Sequence, residues 1–287
     1  MPKVSICIPS YNGARYIEQT IRTVLSQTYA DFELIINDDC STDKTSQIVD
    51  KYLQTDNRIK MHVNDKRLGL TGNWNRVLGY ASGDYIKLLC QDDLLEDSCI
   101  EKQARILDAH SEVSLVTCAT RIIDSNDKVM MKRKYWHGSK IIDGRKASKY
   151  SLWGVNLFGE PSALMYRKRD QEKIGFYSER YGFVPDWDFS IRLLGVGSLY
   201  HIDEYLTRFR MNSDTETGRL LNCNLMEICM EEFDFFNRNG KSHGLHYPDK
   251  CLNHVVVLFK NLFCMIIQNI FFNHPGLPVK EAEPSSE

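Results

Sequence analysis

The residues best suited to chemistry in this chain are acids, and they come in pairs. Asp92 and Asp93 close the stretch "YIKLLCQDD", Asp38 and Asp39 close "FELIINDD", and Asp186 and Asp188 flank a tryptophan in "PDWDF". Two adjacent carboxylates at the end of an apolar run repel each other and resist loss of water. A divalent cation removes the difficulty, because Mg2+ and Mn2+ take one or two protein carboxylates and complete their shells with water and substrate phosphates. Asp92 and Asp93 also fit a plainer role as helix-start acids, with Glu96 and Asp97 close behind. Asp38 and Asp39 carry two readings as well: acids at a helix start, or a carboxylate accepting a hydrogen bond from a nucleobase ring N–H. "PSYNG" (Pro9–Gly13) is built from turn residues, and its Tyr11 can stack on a planar base. Asp186, next to Trp187 and between runs of core residues, can be a desolvated carboxylate with a raised pKa, which a general base needs.

What must position these groups is an alternation of strands and helices. Val4–Ile8, Phe32–Asn37, Ile59–Val63, "YIKLL" and Val113–Ala119 read as short buried strands. Between them, Ile17, Ile21, Val24 and Leu25 share one helical face, and Ile48, Val49, Tyr52 and Leu53 another, with Ser41 or Thr42 placed to cap the second helix. A short helix is expected from about Asn73 to Ser82 with Gly83 as its C-cap, and a further one near Ser98–His110. Five alternations at about 25 residues each predict an α/β fold, a mostly parallel sheet flanked by helices with right-handed crossovers. Ligands bind beyond the carboxyl ends of such strands, and Ser10-Tyr11-Asn12, Asp38-Asp39 and Asp92-Asp93 all fall there. Past Ala119 the pattern loosens into a hairpin turning at Ser125-Asn126, an apolar run "PSALMYR", a short helix starting near Asp186, a strand in "EYLTRFRMN" and then mostly helix from Arg219.

The bulk numbers narrow the class. A chain of 287 residues suits one large domain, or one domain with an appendage. Its net charge of -2 gives no sign of a nucleic-acid partner. Nine cysteines without a C-x-x-C pair, several of them (Cys7, Cys118) inside apolar runs, read as small core residues in a reducing compartment. His62, His110 and His201 show no ligand spacing, "LGLTGN" matches neither a P-loop nor a dinucleotide fingerprint, and "MPKVSICIPS" lacks the apolar core of a signal peptide. The 22 residues of Cys251–Phe272 are long enough to span a membrane, but Asn253, Lys260, Asn261, Gln268 and Asn269 interrupt them. An amphipathic helix packed on the domain is the first reading of that stretch, and interfacial membrane contact the second. The tail 274–287 is expected to be disordered.

The stretch "VSICIPSYNGARYIEQTIRTVLSQTYADFELIINDDCSTDKT" resembles the opening of the family 2 inverting glycosyltransferases with the A-type fold, whose pattern is strand, P-x-Y-N, helix, S-(I/V)-L-x-Q-T, strand, D-D-x-S-x-D. The match continues through "GDYIKLLCQDD" to "PDWDFSIRL" and "FRMN", about residues 3–215. The resemblance implies a catalytic domain over 1–215, with a nucleotide-binding half (1–119) and an acceptor half (120–215), followed by a helical C-terminal extension over 216–273. It implies that Pro9 and Tyr11 wall the nucleotide base, that Asp39 binds the base N–H, and that Asp93 ligates Mn2+ or Mg2+ with Asp92 beside the ribose or the ion. By the same resemblance Arg210 lies near the diphosphate, Asp186 is the catalytic base, and Glu160 (in "GEPS") and Trp187 hold sugar or acceptor. Asp188 cannot point the same way as Asp186, so it is assigned a structural hydrogen bond or cap. The sequence departs from the family at Cys90, Pro185 and Asn212, where Asp, Glu and His are usual.

The implied activity is metal-dependent, inverting transfer of a sugar from a nucleotide-sugar to a hydroxyl of a glycan or lipid-linked acceptor of a cell-surface polymer. A UDP-sugar is the first choice of donor, with dTDP- and GDP-sugars open. The implied location is cytoplasmic, with the inner face of the plasma membrane as a contact through Cys251–Phe272. Two rivals stand beside this reading. A non-catalytic sugar-nucleotide-binding subunit is left room by Cys90 and Asn212. A sugar-nucleotidyltransferase predicts a Gly-rich N-terminal loop and signature lysine that "PSYNGARY" does not supply.

Overall fold

In the computed structural model, residues 1–211, 225–240, 243 and 254–259 are described. The first half alternates as its periodicity requires: β1 (Val4–Ser10), α1 (Ile17–Leu25), β2 (Phe32–Asp38), α2 (Thr45–Leu53), β3 (Ile59–Val63), α3 (Gly69–Gly79), β4 (Tyr85–Leu88), the two-residue β5 (Leu94–Leu95) and α4 (Cys99–Ala109). β2, β1 and β4 run side by side in parallel, and every residue of β1 and β2 is buried. Burial on both faces follows from helices covering both sides of the sheet. Alternate side chains of β1 feed two cores: Val4, Ile6 and Ile8 pack with Ile17 and Ile21 of α1, while Cys7 packs with Trp74 and Val77 of α3.

The second half comprises β6 (Val113–Ile123), β7 (Val129–Arg133), β8 (Lys140–Ile142), α5 (Gly144–Ser151), a 3-10 turn (Pro161–Ala163), β9 (Met165–Arg167), α6 (Lys168–Ile174), α7 (Pro185–Leu194), β10 (Ser198–Arg210) and α8 (Leu225–Gly240). The sheet order is β3-β2-β1-β4-β9-β6-β10-β5, with β7 on β6 and β8 on β10. The sheet is mostly parallel in its first half, but the strand read at Val113–Ala119 does not pair with β4. Antiparallel β9 lies between them, Tyr166 pairing with both Ile86 and Leu115. The run "PSALMYR" is apolar because it fills this central place. The hairpin expected at Ser125-Asn126 is β6–β7, its turn closed by Asp127 at a φ of 66°.

Three local expectations need correction. α3 begins at Gly69, ahead of Asn73, and ends at Gly79, so Gly83 is not its cap. Gly83 instead lies against β1, where a Cβ would come within 2.7 Å of the Ser5 backbone nitrogen. Neither Ser41 nor Thr42 caps α2, which starts at Thr45 beside the Asp43 carboxylate. Both tie the loops after β1 and β2 together: the Asn12 N–H donates to Ser41 Oγ, and the Thr42 N–H donates to Asn12 Oδ1, each at 2.8 Å.

α8, within the stretch read as a C-terminal extension, packs into the same core as α7, with Phe235 and Phe236 buried there. Its Phe235 ring lies 5.0 Å from that of Trp187, and its Glu231 carboxylate accepts the N–H groups of Gly182, Phe183 and Val184 just ahead of α7. Among the described residues no helix is long and apolar enough to cross a membrane. Asn212, the boundary at 215, the end of the extension at 273, the tail 274–287 and all of Cys251–Phe272 except 254–259 lie outside the described residues.

Candidate active site

The carboxyl ends of β1, β2 and β4 open into a cavity of about 360 Å3 whose lining includes Pro9, Tyr11, Asp39, Arg67, Cys90, Asp92, Glu160, Asp186 and Arg210. Sequence segments up to 200 residues apart therefore meet where the parallel sheet places its ligands.

At one end, Pro9 and Tyr11 leave β1 in a loop held by Gln91. The Gln91 Oε1 accepts the Tyr11 N–H at 3.0 Å and the Ser10 hydroxyl at 2.8 Å, and its Nε2 donates to the Tyr11 carbonyl at 3.0 Å. The guanidinium of Arg67 stands 3.9 Å from the centre of the Tyr11 ring. Asp39 is buried at the start of α3: Oδ1 accepts from Asn64 Nδ2 (2.8 Å) and the Leu68 N–H (2.7 Å), and Oδ2 from the Gly69 N–H (2.9 Å). A carboxylate oxygen accepts two hydrogen bonds, so Oδ2 keeps one acceptor position. Asp38, its neighbour, turns away and accepts the N–H and hydroxyl of Ser41.

In the middle lie the paired acids, and they face opposite ways. Asp92 lines the cavity, and among the described residues no side chain donates to its carboxylate; burial raises it to about 6. Asp93 is fully buried behind the wall, where Oδ1 accepts the Arg210 N–H at 2.9 Å and Oδ2 accepts the Ser162 hydroxyl at 2.5 Å. Burial, and then the neighbouring Asp92 charge, push the Asp93 carboxyl up as well. Arg210 is buried, and four of its five N–H donors have protein partners. Its Nε donates to the Asp92 carbonyl (2.9 Å), Nη1 to the Asp124 carbonyl (2.9 Å) and the Asp127 carboxylate (2.7 Å), and Nη2 to Gln19 (3.0 Å).

At the far end, α7 begins with Pro185 at its first position, a residue suited to a helix start. Asp186 follows and lines the cavity, with Asn156 Nδ2 donating to its Oδ2 at 3.3 Å. Burial lifts this carboxyl to about 6, against the N–H groups of the helix start and the Asn156 amide. Asp188 points elsewhere and accepts from Arg192 Nε at 2.8 Å. Glu160 lines the same end, with the Arg133 guanidinium against it.

Residues 5–175 match the glycosyl transferase family 2 pattern. The chain belongs to this family. It is 39% identical over 106 residues, 37% of this chain and 42% of the other, to a putative teichuronic acid biosynthesis glycosyltransferase, TuaG, of Bacillus subtilis. Its fold is that of S. aureus TarS 1–349 solved with UDP-GlcNAc, at a TM-score of 0.67, 16% identity and coverage of 98% of this chain and 76% of that one. The mannosyltransferase PcManGT of Pyrobaculum calidifontis, solved with GDP-Man and Mn2+, gives a TM-score of 0.64 at 17% identity, covering 92% and 72%.

Two of the residues expected in the site are placed differently from that expectation in this structure. Asp93, expected as the direct metal ligand, is buried inside the wall with each oxygen accepting one hydrogen bond, and the carboxylate that lines the cavity is Asp92. Adjacent residues of a tight turn leave it on opposite sides, and only one can reach a ligand. Trp187, expected to hold sugar or acceptor, is buried, donates Nε1 to Ser151 Oγ at 2.8 Å and stacks against Phe235 in the core. Its apolar area is taken up by the packing of α7 on α8. Arg210 lines the cavity while most of its donors are directed at the protein, among them the Nε–H that donates to the Asp92 carbonyl of the acid loop.

The donor set fits a divalent cation of one kind. Among the described residues no three His, Cys, Asp or Glu side chains gather into a cage. A single free carboxylate at Asp92 suits an ion that draws most of its oxygens from a diphosphate and water. Arg67, Asn156 and Arg133 went unnoticed in the sequence, whereas Gln91 and Ser162 were visible only as part of "QDD" and "GEPS". The histidines stay out of the cavity: His62 stacks on Tyr80, His110 on Tyr200, and His201 is buried.

Proposed function

We propose that this family 2 glycosyltransferase moves a sugar from a nucleotide-sugar, a UDP-sugar by first choice, to a hydroxyl of a glycan or lipid-linked acceptor, with inversion and with Mn2+ or Mg2+. The observation that carries the reading is the shared cavity: Tyr11 and Asp39 at one end, Asp92 between, and a buried Asp186 raised to about 6 at the other. Tyr11 and Pro9 offer faces to the base, and the remaining acceptor position of Asp39 takes a ring N–H. Asp92 would hold the cation, whose chemistry is to neutralise the departing diphosphate. Asp186, held by Asn156, takes the proton of the acceptor hydroxyl, and that oxygen attacks the anomeric carbon from the face opposite the diphosphate. A carboxyl near 6 is ionised at neutral pH yet more basic than an ordinary one, which favours proton abstraction. The similarity to TuaG, a putative teichuronic acid biosynthesis glycosyltransferase, supports a surface-polymer acceptor.

Calorimetry with UDP, dTDP and GDP, with and without Mn2+, followed by a nucleotide-release assay on a panel of sugar nucleotides, tests the proposal. A true donor at 100 times its dissociation constant stabilises the fold by about 2.7 kcal/mol. Metal-independent binding of all three nucleotides alike sinks the donor assignment, and tight binding without release under any acceptor mixture indicates a non-catalytic subunit.

A further inference from the structure

Between Lys128 and Gly159 the chain carries eight lysines and arginines against one acid, Asp143, although its overall charge is -2. Two of the eight are neutralised locally, Arg133 against Glu160 and Lys134 against Asp203. Lys140, Arg145, Lys146 and Lys149 are exposed, and among the described residues none of them is held in an ion pair. Arg145 and Lys146 sit in the first turn of α5, where the helix dipole disfavours cations and the one acid is the N-cap Asp143, whose carboxylate accepts the Lys146 N–H. Arg145 and Lys149 are a like-charged pair one turn apart, which also disfavours the helix.

The cations frame two aromatic rings. Trp136 and Tyr150 lie 6.3 Å apart, with the Lys140 ammonium 5.9 Å from the first ring and that of Lys146 5.9 Å from the second. Tyr150 is 47% exposed. This platform is joined to the cavity through one short segment. Trp136 Nε1 donates to the Leu157 carbonyl at 3.0 Å, and the adjoining Asn156 donates to Asp186. Ser151, next to Tyr150, holds the indole N–H of Trp187, the residue after Asp186. The two rings are thus tied to the Asp186 end of the cavity through Asn156–Leu157 and Ser151.

We propose that the acceptor is an anionic glycan, carrying carboxylate or phosphate groups, and that Trp136 and Tyr150 stack on its sugar rings while Lys140 and Lys146 pair with its charges. The apolar faces of sugar rings suit aromatic side chains, and unpaired exposed cations supply both attraction and steering for a polyanion. This proposal rests on the glycosyltransferase reading of the cavity, and its test is a binding experiment that needs neither donor nor turnover.

The full chain is titrated with an oligogalacturonate and with a neutral maltooligosaccharide of the same length. The expected result is binding of the anionic probe that weakens with salt, and at least about tenfold weaker binding of the neutral one. Lys140→Glu with Lys146→Glu should weaken the anionic probe at least about tenfold, while Lys44→Glu with Lys51→Glu, the same charge change in and beside α2, leaves it unchanged. Tyr150→Ala should weaken binding without altering its salt dependence. UDP affinity should be the same in all variants, which separates failure here from failure of the donor site. Equal affinity for both probes, or equal loss in both double variants, overturns the proposal. So does binding to anionic phospholipid vesicles that the Lys140/Lys146 variant loses while oligogalacturonate does not bind; that face would then be a lipid-binding surface.

Discussion

Replacing Asp186 by Asn should remove turnover and stabilise the fold at the same time. The two effects have one cause, a carboxylate held in a poorly solvated place for chemistry. In the folded chain burial lifts Asp186 from 3.8 to about 6. Between those values the folded state binds the proton more tightly than the unfolded state, so this group's contribution to stability falls as pH rises from 3.8 through about 6. Above that window the ionised carboxylate costs about 2 pKa units, or about 3 kcal/mol as an upper figure. The amide of Asn is nearly isosteric and carries no charge, so at pH 8 Asp186→Asn should gain about 1–3 kcal/mol, and the gain should vanish near pH 4. Turnover should drop by ~10²–10⁴-fold, mainly in kcat, since a base acts only in the chemical step. In the wild type, kcat should fall as pH drops through about 6. The checks are thermal unfolding of both proteins from pH 4 to 8, and nucleotide release at saturating donor. If Asp186→Asn turns over normally and unfolds at the wild-type temperature at pH 8, the carboxylate is neither strained nor catalytic. If Asp188→Asn is the silent-fold, dead-enzyme variant instead, the base is the other acid.

The acid pair should separate by readout: Asp92→Ala removes the Mn2+ dependence of UDP binding with little change in melting temperature. Asp93→Ala leaves the Arg210 N–H and the Ser162 hydroxyl without their acceptor and lowers stability by about 1–3 kcal/mol. Retained Mn2+ dependence in Asp92→Ala, measured by calorimetry, would return the metal to Asp93. Asp39→Ala should weaken UDP binding by about 1.5–3 kcal/mol and also loosen the loop at Leu68 and Gly69, visible as faster hydrogen exchange there. Glu33, buried and disfavoured by burial, is nevertheless held at about 2 by Lys60, Ser5 and Ser82. Its stabilisation is full above 4.5 and lost as pH falls toward about 2, so Glu33→Gln should cost about 3 kcal/mol at pH 7 in urea unfolding and nothing at pH 2.

Periodicity made the first half of the chain legible because strands buried on both faces are written as continuous apolar runs, and each is followed by a helix with one apolar stripe. β9 escaped because three buried residues in an apolar run do not declare a direction; only pairing with Ile86 and Leu115 makes them antiparallel. The early start of α3 escaped for a related reason. "LGLTGN" reads as loop by its glycines, but the Asp39 carboxylate accepts the Leu68 and Gly69 N–H groups and fixes the first turn. A helix start stabilised by a residue 30 positions upstream is a tertiary effect that no local propensity records.

The site was legible as residue types at one sheet edge and illegible as directions. Nothing in "CQDD" says which aspartate faces the ligand; that is decided by what grips the other. Asp93 is gripped from two sides, by the hydroxyl of Ser162 and the backbone of Arg210. Each of those is itself held: the Ser162 carbonyl accepts from the fully buried Lys87 ammonium at 2.7 Å, and Arg210 reaches Gln19, Asp124 and Asp127. Lys87 and Asp93 are thus two buried polar groups joined through the backbone and hydroxyl of one serine, and removing either leaves a hydrogen-bond partner of Ser162 missing. A cation site with a single facing carboxylate gains little rigidity from the ion itself, so its geometry must come from the surrounding protein. In this structure the inward aspartate, the buried lysine and the arginine with four of its five donors bonded form one connected network behind the Asp92 face of the cavity.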